Sequence, residues 1–280
     1  MDSTIVQPLT MQMRMARFIK EDDWKNEIVL YFFPDGVYEL PRFARCWIRN
    51  YLLTVVLYLG LGALWSIWVY KIKGKRYFAP GEKPSKKDVF EQIKVSMMAI
   101  PLYALLPCAA EWMVERGWTK AYASISEVGI PMFFAYFAMY MCCVEFGVYW
   151  MHRMLHESKF LYNNLHYIHH KYNKENTMSP FAGLAFHPLD GMLQAIPYVW
   201  TLYMVPMHFL TVELLLFATG VWTTNIHDNI NGKCEPIMGA AYHTIHHTLY
   251  RFNYGHYLTY MDRAFGTYIT PYQLEKRKSK

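Results

Sequence analysis

Residues 150–170 read WMHRMLHESKFLYNNLHYIHH, and this stretch decides how the rest of the chain is read. It places His152 and His156 four apart, then sets His166, His169 and His170 as HxxHH. The same spacing returns at His243, His246 and His247, within AYHTIHHTLY. These three boxes hold eight of the twelve histidines. Imidazole is the commonest protein ligand for iron, zinc and copper, and it binds in its neutral form. On a helix, residues i, i+3 and i+4 share a face, so each box aims two or three imidazoles one way. A closed zinc site takes four ligands and a catalytic one takes three, so eight convergent imidazoles suit two metals. A lone histidine such as His208 reads as a packed or interfacial residue; three boxes together do not.

Immediately before the first box, Val128–Trp150 is apolar and long enough to cross a bilayer, whose core of about 30 Å needs about 20 helical residues. Upstream, Tyr51–Tyr70 carries no charge over twenty residues and ends in Trp65, Trp68 and Tyr70, an aromatic edge suited to a membrane interface. Val95–Met113 is a further span, weakened by Pro101, Pro107 and Glu111. Composition agrees: 54% of residues are hydrophobic, 18% aromatic and only 18% charged, below the roughly 25% of soluble domains. A mean hydropathy of +0.01 is too low for a chain wholly in lipid, so a water-facing part is expected. Five cysteines without a CxxC motif give no disulfide framework and favour a reduced setting. No signal-peptide pattern opens the chain, and a net charge of +6 without a basic and aromatic pattern argues against nucleic acid.

Loop 71–94 holds eight basic and three acidic residues, and positive loops stay in the cytosol. That rule puts region 1–50 in the lumen, carries the chain through the helices of region 51–150, and returns it to the cytosol at His152. A Phe-Phe-Pro-Asp-Gly turn at 32–36 breaks any helix in the first region. Within region 151–280, the apolar segment Met192–Trp222 lies between the second and third boxes, so both its ends must be cytosolic if the boxes share a site. Thirty-one residues are too few for two full spans, Pro197 and Pro206 offer breaks, and Glu213 is costly inside a single span. The expected architecture is all-α: about three full spans plus a re-entrant or short helical hairpin, under a cytosolic histidine-rich cap that holds a dimetal site.

Further candidates flank the hairpin. His227 in NIHDNING follows it, with Asn231 four residues on to offer an amide oxygen or hold a water; His187 in AFHPLDG precedes it, and His256 lies in NYGHY. Each single histidine also admits a plain packing role. Asp190, Asp228 and Asp262 read either as partners that orient imidazoles through the other ring nitrogen or as solvated and helix-capping residues. Zinc outcompetes ferrous iron for nitrogen ligands but is redox-inert, so an oxidation requires iron even where purified protein carries zinc.

The boxes HRMLH, HYIHH and HTIHH, in this order and with a hairpin between the second and third, resemble those of the membrane-bound fatty acid hydroxylase and sterol desaturase superfamily. The resemblance runs from about Val128 to Pro271. The stretches at 185–198, 225–229 and 252–271 are similar to the sterol C-5 desaturase branch, and the short N-terminal region to its plant Δ7-sterol C-5(6)-desaturases (the lathosterol oxidase type). The resemblance implies a di-iron oxidase of sterol biosynthesis that uses O2 and electrons passed from NADH through cytochrome b5 reductase and cytochrome b5. Its metal ligands are then His152, His156, His166, His169, His170, His243, His246 and His247, with His227 and His187 as additions. The terminal KRKSK resembles a dilysine retrieval signal of endoplasmic reticulum membrane proteins; by composition alone it is a solvated end or a contact for anionic lipid. Two other outcomes stay open. A lipid hydroxylase or sterol C-4 methyl oxidase would share the first hydrogen abstraction. A metal-binding protein or transporter would place its histidines inside the spans rather than beyond them.

Overall fold

Residues 10–50, mixed in charge, fold in two pieces divided where the sequence breaks. In α1 (Met11–Leu30) the Thr10 hydroxyl accepts the Met13 backbone N–H as an N-cap, and the helix stops short of Pro34, which leads into a 3-10 turn at Asp35–Glu39. The computed structural model describes residues 10–78, 83–172, 177–228, 230 and 235–278. α2 (Arg42–Ser66) begins well before the charge-free run and continues as a π-helical turn, Ile67–Ile72, 31 residues in all. Beyond the short α3 (Gly74–Tyr77), α4 (Lys86–Tyr103) and α5 (Leu105–Glu115) make a second apolar rod of 30 residues. Its joint at Ala104 follows Pro101, which has no N–H for the helical ladder.

α6 (Ile130–Glu157) carries the first box on its last two turns. The second box follows on α7 (Lys159–Leu161), a π-helical turn at Tyr162–His166, and α8 (Tyr167–His170). α9 (Pro188–Met204) and α10 (Phe209–Ile226) occupy the apolar segment between the second and third boxes and are parted around Pro206. Pro197 is accommodated inside α9, where its carbonyl accepts the Thr201 hydroxyl at 2.7 Å. α10 alone is long and apolar enough to cross a bilayer, so four helices among the described residues meet that test. α11 (Ala240–Leu249) carries the third box, and α12 (Tyr260–Ala264) and α13 (Pro271–Lys278) close the chain. The only paired strands among the described residues are β1 (Ala121–Tyr122) and β2 (Met207–His208), two residues each and parallel.

The chain divides into two compact units. The first comprises Met1–Leu53, Ala104–Val144 and Ile196–Leu216. It is fastened by ions. Arg49, 1% exposed, donates to Asn26 at 3.0 Å and pairs with Glu111, while Lys25 reaches both oxygens of Glu213 at 2.7 Å. The acid that looked costly in an apolar segment therefore has a cation from α1. Cys46, Cys108, Cys142 and Cys143 are all free thiols.

The second unit comprises Thr54–Tyr103, Glu145–Ala195 and Phe217–Lys280, and contains all three boxes. The link between second box and hairpin is held by α2 and α4. The Tyr58 hydroxyl donates to the Phe181 carbonyl at 2.9 Å, and the buried Gln92 bridges the Thr177 carbonyl and the Ser179 hydroxyl. A Cβ at Gly62 would sit 2.4 Å from the Phe181 ring, so α2 needs glycine at this crossing.

Candidate metal centre

An α-helix turns 100° per residue, so i and i+4 diverge by about 40°, whereas i+3 and i+4 lie about 100° apart. HxxHH therefore splits between two directions, and both boxes do. His166 and His170 join His152, His156 and His246 in one group; His243 and His247 join His169 and His227 in another. In each box the i, i+4 pair serves one group and the i+3 histidine crosses to the other. The first box completes the five-membered group, and His227, immediately after α10, completes the four-membered one. Within each group the candidate ligand atoms lie within 4.8 Å of one another. The groups adjoin, with the His170 and His247 rings 4.4 Å apart.

Hydrogen bonds to Nδ1 decide which nitrogen faces inward. His152 bonds the Tyr254 carbonyl at 3.0 Å, His246 the Phe252 carbonyl at 2.9 Å, His227 the Thr223 carbonyl at 2.7 Å, and His166 the Asp190 carboxylate at 2.8 Å. Each partner accepts, so each Nδ1 carries the proton and each Nε2 presents its lone pair. The inward nitrogens crowd together: His166 and His170 Nε2 are 3.0 Å apart, His227 and His243 2.9 Å, His243 and His247 3.0 Å, and His169 and His227 3.4 Å. Metal–nitrogen bonds of about 2.1 Å separate neighbouring ligands by about 3.0 Å at right angles and about 3.4 Å at tetrahedral angles. These spacings are ones that ligands of a single metal ion can adopt, and the donor set fits metal ions.

Burial also favours the neutral form of several of these rings. Burial, reinforced by the neighbouring imidazoles, lowers His169, His170, His243, His246 and His247 far below the usual histidine range. Burial lowers His227 to about 4 against the pull of its Thr223 bond. Neutral imidazole is the form that binds metal.

Of the aspartates singled out in the sequence, Asp190 touches a histidine directly and is itself fixed by Gln194 at 2.8 Å. Asp262 acts one step further away. It accepts the N–H groups of Tyr254 and Gly255 and the Thr267 hydroxyl, which shapes the loop whose Tyr254 carbonyl holds His152. A Cβ at Gly255 would lie 2.5 Å from the Leu258 carbonyl and 2.8 Å from Asp262, so this loop closes only with glycine. Asp228 accepts from the Trp65 indole and the Ile230 N–H rather than from a histidine. Asn231 lies outside the described residues. His187 belongs to neither group; its Nδ1 accepts the Leu189 N–H at the start of α9. His256 also stays apart, its carbonyl accepting the Trp222 indole, and His208 bonds Thr211 within the first unit. The carbonyls of Thr223, Phe252 and Tyr254 orient three of these imidazoles, yet backbone groups carry no residue-type signal in a sequence.

The fatty acid hydroxylase family profile matches residues 137–267, which contain both histidine groups. A Nicotiana tabacum protein named Delta(7)-sterol-C5(6)-desaturase is 49% identical over 94% of this chain and 98% of its own length. An Arabidopsis thaliana protein, named Putative Delta(7)-sterol-C5(6)-desaturase 2, is likewise 49% identical, over 91% of this chain and 92% of its own. Human lathosterol oxidase is 32% identical over 68% of this chain and 64% of its length. No solved structure matches.

Proposed function

Because the chain belongs to the fatty acid hydroxylase family, in its sterol desaturase branch, we propose that it introduces the 5,6 double bond into Δ7-sterols. The observation that carries this reading is the pair of adjoining histidine groups, in a chain 49% identical to a Δ7-sterol C5(6)-desaturase over almost its whole length. The sterol loses two hydrogens; with O2, two electrons and two protons it yields the diene and two waters. Two iron ions, when bound, supply the oxidising power that an unactivated C–H bond demands. Zinc in their place would be inert.

The chain's own work is positioning. His152, His156, His166, His170 and His246 hold one ion; His169, His227, His243 and His247 hold the other. Asp190 and the carbonyls of Thr223, Phe252 and Tyr254 keep four of those rings in the tautomer that presents Nε2. A sterol is a rigid, mostly apolar tetracycle that stays in the bilayer, so its oxidant must stand at the membrane surface. α6 meets that need by running from apolar residues directly into His152 and His156. The hairpin serves the same end, since Asp190 stands at its start and His227 just past its finish.

The protein is a multi-pass membrane protein of the endoplasmic reticulum, with the boxes and the C-terminus cytosolic, region 1–50 lumenal, and cytochrome b5 as donor. The basic residues of loop 71–94 support that orientation. Residues 86–94 of this stretch form the start of α4, where Gln92 bonds Thr177 and Glu91 accepts from Lys171, just after the second box. The tail supports it too, although its last two residues lie outside the described part. The test is product analysis in a sterol-producing cell that lacks its own C-5 desaturase, with His169→Ala as control. Δ5,7-sterols should appear with the wild type alone. Persistence of Δ7-sterols with metal-loaded, membrane-inserted protein would refute the assignment.

A further inference from the structure

Eight of the nine ligands are buried, and only His156 is less than fully covered. What covers it is aromatic. The Tyr162 ring lies 5.6 Å from His156 and 6.1 Å from His170, and the Tyr250 ring lies 5.0 Å from His170 and 6.1 Å from Tyr162. Tyr167, 56% exposed, stands 6.4 Å from Tyr162 and completes a ring-to-ring path from solvent to the five-histidine group.

Two backbone features hold these rings in place. Tyr250 caps α11 in the left-handed region, at φ 64°, where helices usually end in glycine. A bulky residue there costs conformational energy, so the side chain is what the position keeps. Tyr162 opens the π-helical turn that leads into the second box, a rare geometry concentrated at functional sites.

The surroundings are basic. Lys159, Lys171 and Arg251 are exposed beside these rings in sequence. Lys171 contacts Glu91 on α4, a helix that also exposes Lys86, Lys87 and Lys94. Among the described residues, the acids near this face are Glu157, paired with Arg153, Glu91, paired with Lys171, and Asp88 on α4, which accepts from the Ser85 hydroxyl; with Lys159, Arg251 and the α4 lysines added, the cations outnumber them.

We infer that Tyr162, Tyr167 and Tyr250, rimmed by Lys171 and Arg251, form the docking face for an acidic one-electron carrier protein and the point where its electrons enter. The inference rests on the desaturase reading, which requires two electrons from outside. Each carrier gives one electron, its ferrous haem becoming ferric. Two such transfers, with two protons from water, balance the reduction of one O2 to two waters as the sterol loses two hydrogens. Tunnelling falls exponentially with distance, so the thinnest cover over a ligand is the efficient entrance. Electron-transfer encounters are small interfaces guided by charge, which suits a compact aromatic face inside a cationic rim.

The test uses the full chain in nanodiscs of uncharged lipid, with the soluble haem domain of cytochrome b5 as probe. Binding of the ferric domain needs no turnover. Lys171→Glu with Arg251→Glu should weaken it about tenfold at low ionic strength, with the difference shrinking as salt is added. Lys20→Glu, an exposed charge on α1, should leave binding unchanged. Tyr250→Gly, which relieves the backbone, should slow reoxidation of the domain under O2 and sterol even at domain concentrations that saturate binding. Protein reduced anaerobically with dithionite and a small mediator, freed of excess reductant and then given O2 and sterol, should still form product in the two charge reversals. Unchanged binding in the reversed variants would overturn the proposal, as would an equal loss of product with both reductants. So would a defect seen only when anionic lipid is present, which would make the face a lipid contact. If the wild type forms no Δ5,7-sterol with the chemical reductant, the desaturase reading fails by itself, and the binding experiment still judges the surface.

Discussion

Asp190→Asn isolates one hydrogen bond behind one metal ligand. Asp190 and His166 are both fully buried, and the carboxylate accepts from Nδ1 at 2.8 Å while Gln194 holds its other oxygen. Asparagine keeps the shape but removes the charge, and it can present an amide N–H to a ring nitrogen that already carries a proton. Mutating such partners typically lowers metal affinity ~10–100-fold, or about 1.4–2.8 kcal/mol. The loss should fall on the five-histidine group, because the four-histidine group contains no ligand that Asp190 touches. Chelator titration of iron-loaded protein should then show one ion of two released early, with the second retained. Asp228→Asn is the matched control, since Asp228 is just as buried but bonds Trp65 and Ile230 instead of a histidine. Equal retention of both ions in Asp190→Asn would refute the reasoning, and so would equal release in the two variants.

Other expectations follow from the same geometry. His227→Ala should cost the four-histidine group its ion, whereas His187→Ala should keep both ions and lose only a cap to α9, about 0.5–2 kcal/mol; metal analysis and thermal unfolding separate the two. Arg49→Met should destabilise the protein by about 3–5 kcal/mol in detergent, because it strands Glu111 and Asp22 in a buried position. Arg49→Met with Glu111→Leu should recover part of that loss; a double variant no better than the single would count against the pairing. The metal-free protein should lose stability as pH falls below about 6.5, because the unfolded chain takes up protons that the buried neutral histidines refuse. For His227, held at about 4, the loss reaches about 3 kcal/mol when complete. An unfolding temperature flat from pH 7 to 5 would argue against neutral burial.

The fold was legible where a local signal sufficed. The charge-free run at 51–70, the apolar approach to His152 and the break at Pro206 each became the element expected of them. What escaped reading depends on partners far apart in the chain. Arg49 looks like a flanking charge at a membrane edge, yet it is buried because Asp22 and Glu111 meet it from α1 and α5. The start of α2 at Arg42 has the same origin, since Arg42 bonds Asp23 at 2.5 Å and Glu115 at 3.1 Å. A window of sequence records such residues as polar and cannot show that their charges cancel elsewhere.

The candidate site divides along the same line, and the division explains its construction. Residue spacing alone brings eight imidazoles towards one region, because helical periodicity is local. Spacing also contains the partition, since 100° per residue forces i+3 away from i+4; reading each box as a single direction overlooked it. His227 and His187 looked alike, as single histidines flanking the hairpin. The difference lies in the helix ends. α10 delivers His227 one residue beyond its last turn with Nδ1 on the Thr223 carbonyl, whereas His187 turns its Nδ1 to the Leu189 N–H in the first turn of α9. Asp190, three residues past His187, takes the place on His166 that the position before the hairpin has to offer. The pair α9 and α10 thus supplies a histidine of the four-membered group from one end and, from the other, the carboxylate that bonds His166 of the five-membered group. Shortening it by a residue in α10 would rotate His227 about 100° away from His169 and His243, and should remove one metal while the five-histidine group keeps its own.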